Sequence, residues 1–362
     1  MDIFSILKKS LGFFLIFLVI LLFTACKGSI DKSWVVKGNG ANLPEGVYRY
    51  YLRESYKKAE EILQSDSVNL EDGSESPKPL HERKISGVSF NDWVRDDALE
   101  SCKDLLGVEH LFNENNLTLT EKENKEIDDT ADEIWKTLSS NFEKASISKD
   151  DVKKAYLEYE AKYNKLFDFY FEENGTKKVT NEDLLNYYKS EYINYSAFTK
   201  YAFVSSKEEE TQENSSSAAQ LEDARNQVKE YVRLINSGEK SFSEVVEIFK
   251  SRENLQSEVV QTETIDPNNT DALEEVLDKL KKLEVRKADF VEIGDSFILI
   301  FKNDINSNLP DFSNNEIRKS ILKNMKSNDF KEIIDDSKKR VNVEVNTDYI
   351  KSFVPSDIFK DE

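Results

Sequence analysis

Apolar positions along the first half of the chain recur mostly three and four residues apart. Over residues 47–64 the repeat runs Tyr48, Tyr51, Leu52, Ser55, Ala59 and Ile62, which predicts an amphipathic helix. A second helix is expected over 90–115, with Trp93, Ala98, Cys102, Leu105 and Leu106 on its apolar side. Thr120-Glu121-Lys122-Glu123 has the form of a capping box and opens a third, carried by Ile127, Ala131, Ile134, Trp135 and Leu138. A fourth, over 148–171, has an aromatic stripe: Val152, Tyr156, Tyr159, Tyr163, Phe167 and Tyr170, ended by Asn174-Gly175. Thr180 starts a short fifth through Leu184, Tyr188 and Tyr192.

The period then changes. Residues 197–204 read as a strand, and 205–217 as a polar, low-complexity insertion. Residues 218–235 are a strongly amphipathic helix ended by Asn236-Ser237-Gly238, and shorter helices follow over 242–249 and 273–283. Two apolar runs, 290–293 and 297–301, meet at Gly294-Asp295-Ser296 and predict a β-hairpin. A last helix covers 314–339, and Val341, Val343 and Val345 alternate as a short strand. The expected fold class is α+β: a mostly helical domain built from both chain ends, carrying a small inserted α+β domain.

The first residues stand apart from this pattern. Lys8 and Lys9 precede an apolar run over 11–23. Its length of about 13 residues suits a signal peptide better than a bilayer span of about 20. The run ends in Leu22-Phe23-Thr24-Ala25-Cys26, which resembles a bacterial lipobox with Phe23 in place of the usual Leu or Val. That resemblance implies cleavage before Cys26 and acyl chains on its sulfur and amino group. Residues 1–25 are then a signal peptide and 26–46 the lipidated cysteine and tether. An uncleaved anchor helix would leave the rest of the chain on the same, extracytoplasmic side.

Charge and composition narrow the chemistry. A net charge of −20 repels phosphate backbones, so no nucleic-acid partner is expected. Cys102 is the one cysteine besides Cys26, so no internal disulfide is expected, and it reads as a small buried hydrophobe. The two histidines, His81 and His110, lie outside any ligand spacing, which argues against a metal site. Asp266-Pro267-Asn268-Asn269-Thr270-Asp271 has the look of a calcium loop but lacks its glycine and its final glutamate. It reads instead as a turn into a helix, with Asp271 as N-cap and Glu274 completing a capping box. No cofactor is expected.

The order of elements resembles the PrsA/SurA group of extracytoplasmic foldases, in which a helical domain carries an inserted parvulin-type peptidyl-prolyl isomerase domain. Val35-Val36-Lys37-Gly38-Asn39-Gly40 and Val47-Tyr48-Arg49-Tyr50-Tyr51 are similar to the family's opening strand and first helix. Val179-Thr180-Asn181-Glu182-Asp183-Leu184 with Tyr187-Tyr188-Lys189 is similar to the lead-in to the parvulin domain. Asn236-Ser237-Gly238, then Ser241-Phe242-Ser243-Glu244-Val245, resembles the junction after the long parvulin helix. Residues 294–302 resemble the closing strand, and 312–345 the helix and strand that return to the helical domain. The resemblance implies a helical domain over 47–194, a parvulin-like domain over 195–304 and a returning segment over 305–362.

A parvulin site holds two histidines, one on its first strand and one on its last. Here Tyr201, or its neighbour Lys200, stands at the first position, and Ser296 or Phe297 at the second. The family's Gly-Gly-Asp-Leu-Gly segment is replaced by Glu258-Val259-Val260-Gln261, and no histidine follows His110. Isomerisation needs a polar network that favours the twisted amide, and the sequence offers none. The resemblance therefore implies a lipid-anchored chaperone, facing the periplasm, that binds apolar segments of newly exported, unfolded envelope proteins. Such a role needs an exposed apolar surface, for which Tyr156, Tyr159, Tyr163, Phe167 and Tyr170 are candidates, although ordinary helix packing also explains that stripe. Two alternatives stand beside it. One is an active parvulin with an apolar pocket between the sheet and the 273–283 helix. The other is a surface lipoprotein that binds a host or partner molecule. Oligomeric state is left open.

Overall fold

The computed structural model describes residues 31–39, 41–67, 79, 82–202 and 217–359. Cys26 and its lipobox, His81 and the insertion up to residue 216 lie outside the described residues. In chain order the elements are β1 (Val36–Gly38), β2 (Ala41–Asn42), α1 (Glu45–Ser67), β3 (Lys84–Ile85), β4 (Val88–Ser89), α2 (Phe90–Glu114), α3 (Glu121–Lys144), α4 (Lys149–Val152), a π-helical segment (Lys153–Glu158) and α5 (Tyr159–Phe171). There follow α6 (Asn181–Glu191), β5 (Ile193–Tyr201), α7 (Ala218–Ser237), α8 (Phe242–Arg252), β6 (Gln261–Ile265), α9 (Glu274–Lys282), β7 (Ala288–Ile293) and β8 (Ser296–Lys302). The chain ends with α10 (Asn315–Arg340), β9 (Val343–Val345), α11 (Thr347–Lys351) and α12 (Pro355–Ile358). The fold class is α+β, as expected.

The chain forms two compact units, Met1–Asp168 with Asp329–Glu362, and Phe169–Asn328. In the first, both chain ends meet in one antiparallel sheet of order β2-β1-β9, with Val36 opposite Val345. Its core gathers Tyr48, Leu52 and Ala59 from α1, Phe90, Ala98 and Cys102 from α2, and Ile350 and Phe353 from the C-terminal end. Capping starts the helices where the sequence placed them: Ser89 accepts from Asp92 N, and Thr120 and Glu123 form a reciprocal capping box. Gly107 lets α2 approach the last turns of α10, since a Cβ there would lie 2.6 Å from Lys338 Cγ. Ser337 Oγ donates to Gly107 O at 2.7 Å in that contact.

The helix expected over 148–171 is not uniform. Its Lys153–Glu158 stretch is a π-helix, and it meets two apolar clusters. Ala155 enters the main core, while Leu157 packs with Ile127 and Ala131. Tyr156, between them, is left 43% exposed.

The second unit is built on a four-stranded antiparallel sheet of order β6-β5-β8-β7. Phe198, Phe297 and Leu299 face α7 and α8, where Phe198 stacks on Phe249 at 4.6 Å and Phe242 on Phe301 at 4.8 Å. Ile193, Tyr195, Val291 and Ile300 face Val276 and Leu280 of α9 on the other side. The β7–β8 hairpin turns through Gly294 and Asp295, with Gly294 at φ +55°. Buried Arg318 pairs with Glu172 and donates to Asn181 Oδ1 and Val179 O, tying the start of α10 to the lead-in to α6.

Three details depart from the sequence expectation. The first strand starts at Ile193, not Ala197. Its early polar residues are buried and paired: Asn194 Nδ2 donates to Thr264 Oγ1 at 2.6 Å, and Ser196 Oγ lies 2.8 Å from Thr262 Oγ1. Strand β6 was not anticipated at all. Asp271 does not cap α9: Thr270 Oγ1 accepts from Ala272 N at 3.1 Å, Leu273 occupies the N-cap, and it makes no side-chain bond.

Candidate functional site

The pleat of β5 sends Tyr195, Ala197, Thr199 and Tyr201 to the α9 side of the sheet. Ile298 of β8 lies on the same face, and Leu273 and Val276 close one wall from the start of α9. Leu255 and Val259, from the chain between α8 and β6, and Gln261, the first residue of β6, close the other. Together they enclose a cleft of about 610 Å³. Its mouth is open and apolar, with Tyr201 at 55% and Leu273 at 53% exposure.

The polar groups of the cleft are mostly paired. Lys200 Nζ donates to Glu253 Oε2 at 2.9 Å, and both side chains are largely buried. Glu253 is placed by the end of α8, where it is the C-cap and its N–H bonds Phe249 O. Tyr195 donates its hydroxyl to Glu263 Oε2 at 3.0 Å. Burial, then the Glu263 carboxylate, pushes the Tyr195 hydroxyl up to about 12, so it stays a donor at neutral pH. Asp271 is an exposed carboxylate at the rim.

The structure sets the two positions at which parvulin histidines would stand side by side on adjacent strands. Lys200 lies opposite Phe297 and Tyr201 opposite Ser296 in the β5–β8 ladder. Tyr201 and Lys200 line the cleft. Phe297 is fully buried on the α7–α8 face, the face that Lys200 shares with it and Tyr201 does not, with Phe290 at 6.3 Å and the Arg225 guanidinium over its ring. The cleft contains no histidine, cysteine or serine among its lining residues. It can accept an apolar side chain, and β6 beside it is an edge strand of the sheet. Sequence reasoning placed an apolar pocket against the 273–283 helix and named Val259 and Gln261 only as part of a replaced family segment, and it missed Leu255. The signal was slight: Thr262-Glu263-Thr264-Ile265 alternates weakly, because an edge strand is mostly exposed.

The aromatic stripe does not form one surface. Tyr159 packs against the core of the first unit, and Tyr163 and Phe167 meet the Phe330 ring at 4.7 and 5.3 Å. Burial raises the hydroxyl pKa of both Tyr159 and Tyr163. Tyr156 stands at the surface, and Tyr170 belongs to the other unit, against Phe169 and Phe171. Cys102 is fully buried, and burial pushes its thiol pKa up. No group of three or more His, Cys, Asp or Glu side chains among the described residues is arranged to hold a metal ion. No helix among them is long and apolar enough to cross a membrane.

Fold and cleft thus define an α+β chain with a helical body and an inserted module that carries an apolar, histidine-free cleft. No protein-family model matches the sequence, and no curated protein matches it. Solved structures similar to it include three PrsA proteins. A peptidylprolyl isomerase, PrsA from Bacillus anthracis, is 14% identical, covering 66% of this chain and 96% of that one at a TM-score of 0.29. A foldase protein PrsA from Streptococcus pneumoniae is 13% identical over 77% of this chain and 92% of that one, with a TM-score of 0.28. PrsA from Bacillus subtilis is 15% identical over 77% and 97%, with a TM-score of 0.24. Likeness at this level leaves the activity to be argued from the chain's own residues.

Proposed function

We propose that this protein is an extracytoplasmic chaperone of the foldase type, anchored by lipid on Cys26. It holds apolar segments of translocated, unfolded envelope proteins, and residues 195–304 act as a parvulin-like binding domain without isomerase chemistry. The observation that carries the reading is the open apolar cleft between β5 and α9, with Tyr201 and Leu273 at its mouth. A site of this size takes one or two apolar side chains, and the neighbouring β6 edge offers backbone groups to an extended segment. The aromatic residue Tyr156 is a second client contact in this reading.

An active isomerase is the second reading, favoured by the buried Lys200–Glu253 pair and the Tyr195 hydroxyl within the cleft. Two assays on the full chain separate them. One follows aggregation of a chemically unfolded, proline-poor client, and the other follows cis/trans relaxation of a short proline peptide. Suppressed aggregation with unchanged relaxation supports the chaperone. Faster relaxation replaces it by the isomerase, and no effect in either assay refutes both.

A further inference from the structure

A second cavity lies at the other end of α9, where β5 begins. It has a volume of about 410 Å³ and is lined by Lys189, Lys281 and Lys302, with Asn194, Asn268 and Asn303 between them. Glu191 is the one carboxylate in its lining. The lining therefore carries more positive than negative charge, in a chain whose net charge is −20. Lys302 is the innermost cation. Its Nζ donates to Leu280 O at 2.9 Å and makes no ion pair among the described residues. Burial alone lowers its pKa, with no carboxylate acting against that shift. A half-buried ammonium with a carbonyl as its partner bears a desolvation cost that an incoming anion would offset. Asn194 and Asn303 already donate to Thr264 Oγ1 and Ser196 Oγ, which leaves the Asn268 amide as the further donor, and the open cavity leaves room for a small tetrahedral ion and its water.

We propose that this cavity binds a phosphate-type oxyanion, held by Lys189, Lys281 and Lys302. Two sources share that chemistry: free phosphate and the phosphodiester of an anionic lipid headgroup. The site is separate from the apolar cleft, so its failure would leave the chaperone reading untouched.

Calorimetric titration of the full chain with inorganic phosphate tests the first source. Sedimentation with phosphatidylglycerol vesicles, compared with phosphatidylcholine vesicles, tests the second. Saturable phosphate binding is expected, weakened about tenfold in Lys302→Gln by loss of one charge-assisted hydrogen bond. Lys281 is exposed, so Lys281→Gln should fold normally and weaken binding less. Absent phosphate binding, an excess on phosphatidylglycerol that both variants abolish would assign the site to headgroups. The proposal is overturned if the chain binds neither, or if both variants bind as the parent does.

Discussion

Lys200 and Tyr201 are neighbours with opposite roles. Lys200 forms a buried ion pair with Glu253, so Lys200→Met strands a carboxylate and should cost about 3 kcal/mol. Adding Glu253→Gln should recover most of that loss, measured by urea unfolding of the single and double variants. Tyr201 is exposed, so Tyr201→Ala should change stability by less than about 0.5 kcal/mol while weakening client binding. Phe297→Ala should do the reverse, costing about 4 kcal/mol without touching the cleft lining. Acid sensitivity is carried partly by Glu123. Burial pushes its carboxyl pKa up, but hydrogen bonds from Lys165 and Thr120 and the Lys165 charge outweigh that and hold it at about 2, against an ordinary 4.5. A depressed carboxylate contributes stability above its unfolded pKa and loses it as pH falls through the folded one. Stability should therefore fall between about pH 4.5 and 2. Urea midpoints measured across that window should fall less steeply in Glu123→Gln than in the parent.

Caps and turns were the most legible elements. Thr120 and Thr180, read as helix starts, cap the helices they precede, because an N-cap is a local hydrogen bond between residues close in sequence, whereas the cap expected at Asp271 does not form. The Gly294 turn was equally plain, and Gly294→Val should destabilise the hairpin by about 1–2 kcal/mol through its positive φ, read from thermal melts. What stayed hidden depends on distant partners. Asn194 and Ser196 look like loop residues until Thr264 and Thr262 pair with them across β6. The π-helical segment was invisible, and one of the two clusters it meets is supplied by Ile127 and Ala131 of α3. For the same reason the tyrosine stripe looked like one face: Phe330, more than 150 residues away, is what covers Tyr163 and Phe167.

At the scale of the whole molecule, the return of the C-terminal strand could be read from Val343 and Val345, and the structure pairs them beside β1. The α+β class followed from the change of period after residue 196. The apolar cleft was legible only as a location, next to the 273–283 helix, since its second wall comes from residues without a strong period. In the proposed function this cleft holds apolar segments of unfolded chains. The most direct test measures binding of a fluorescent, proline-free apolar peptide to the full chain and to Leu273→Asp, which sets a carboxylate at the exposed mouth. Saturable binding to the parent is expected, with a loss of about tenfold or more in the variant and a melting temperature that does not fall, since Asp is a favoured N-cap residue for α9. Equal binding by parent and variant, or none by the parent, would contradict it.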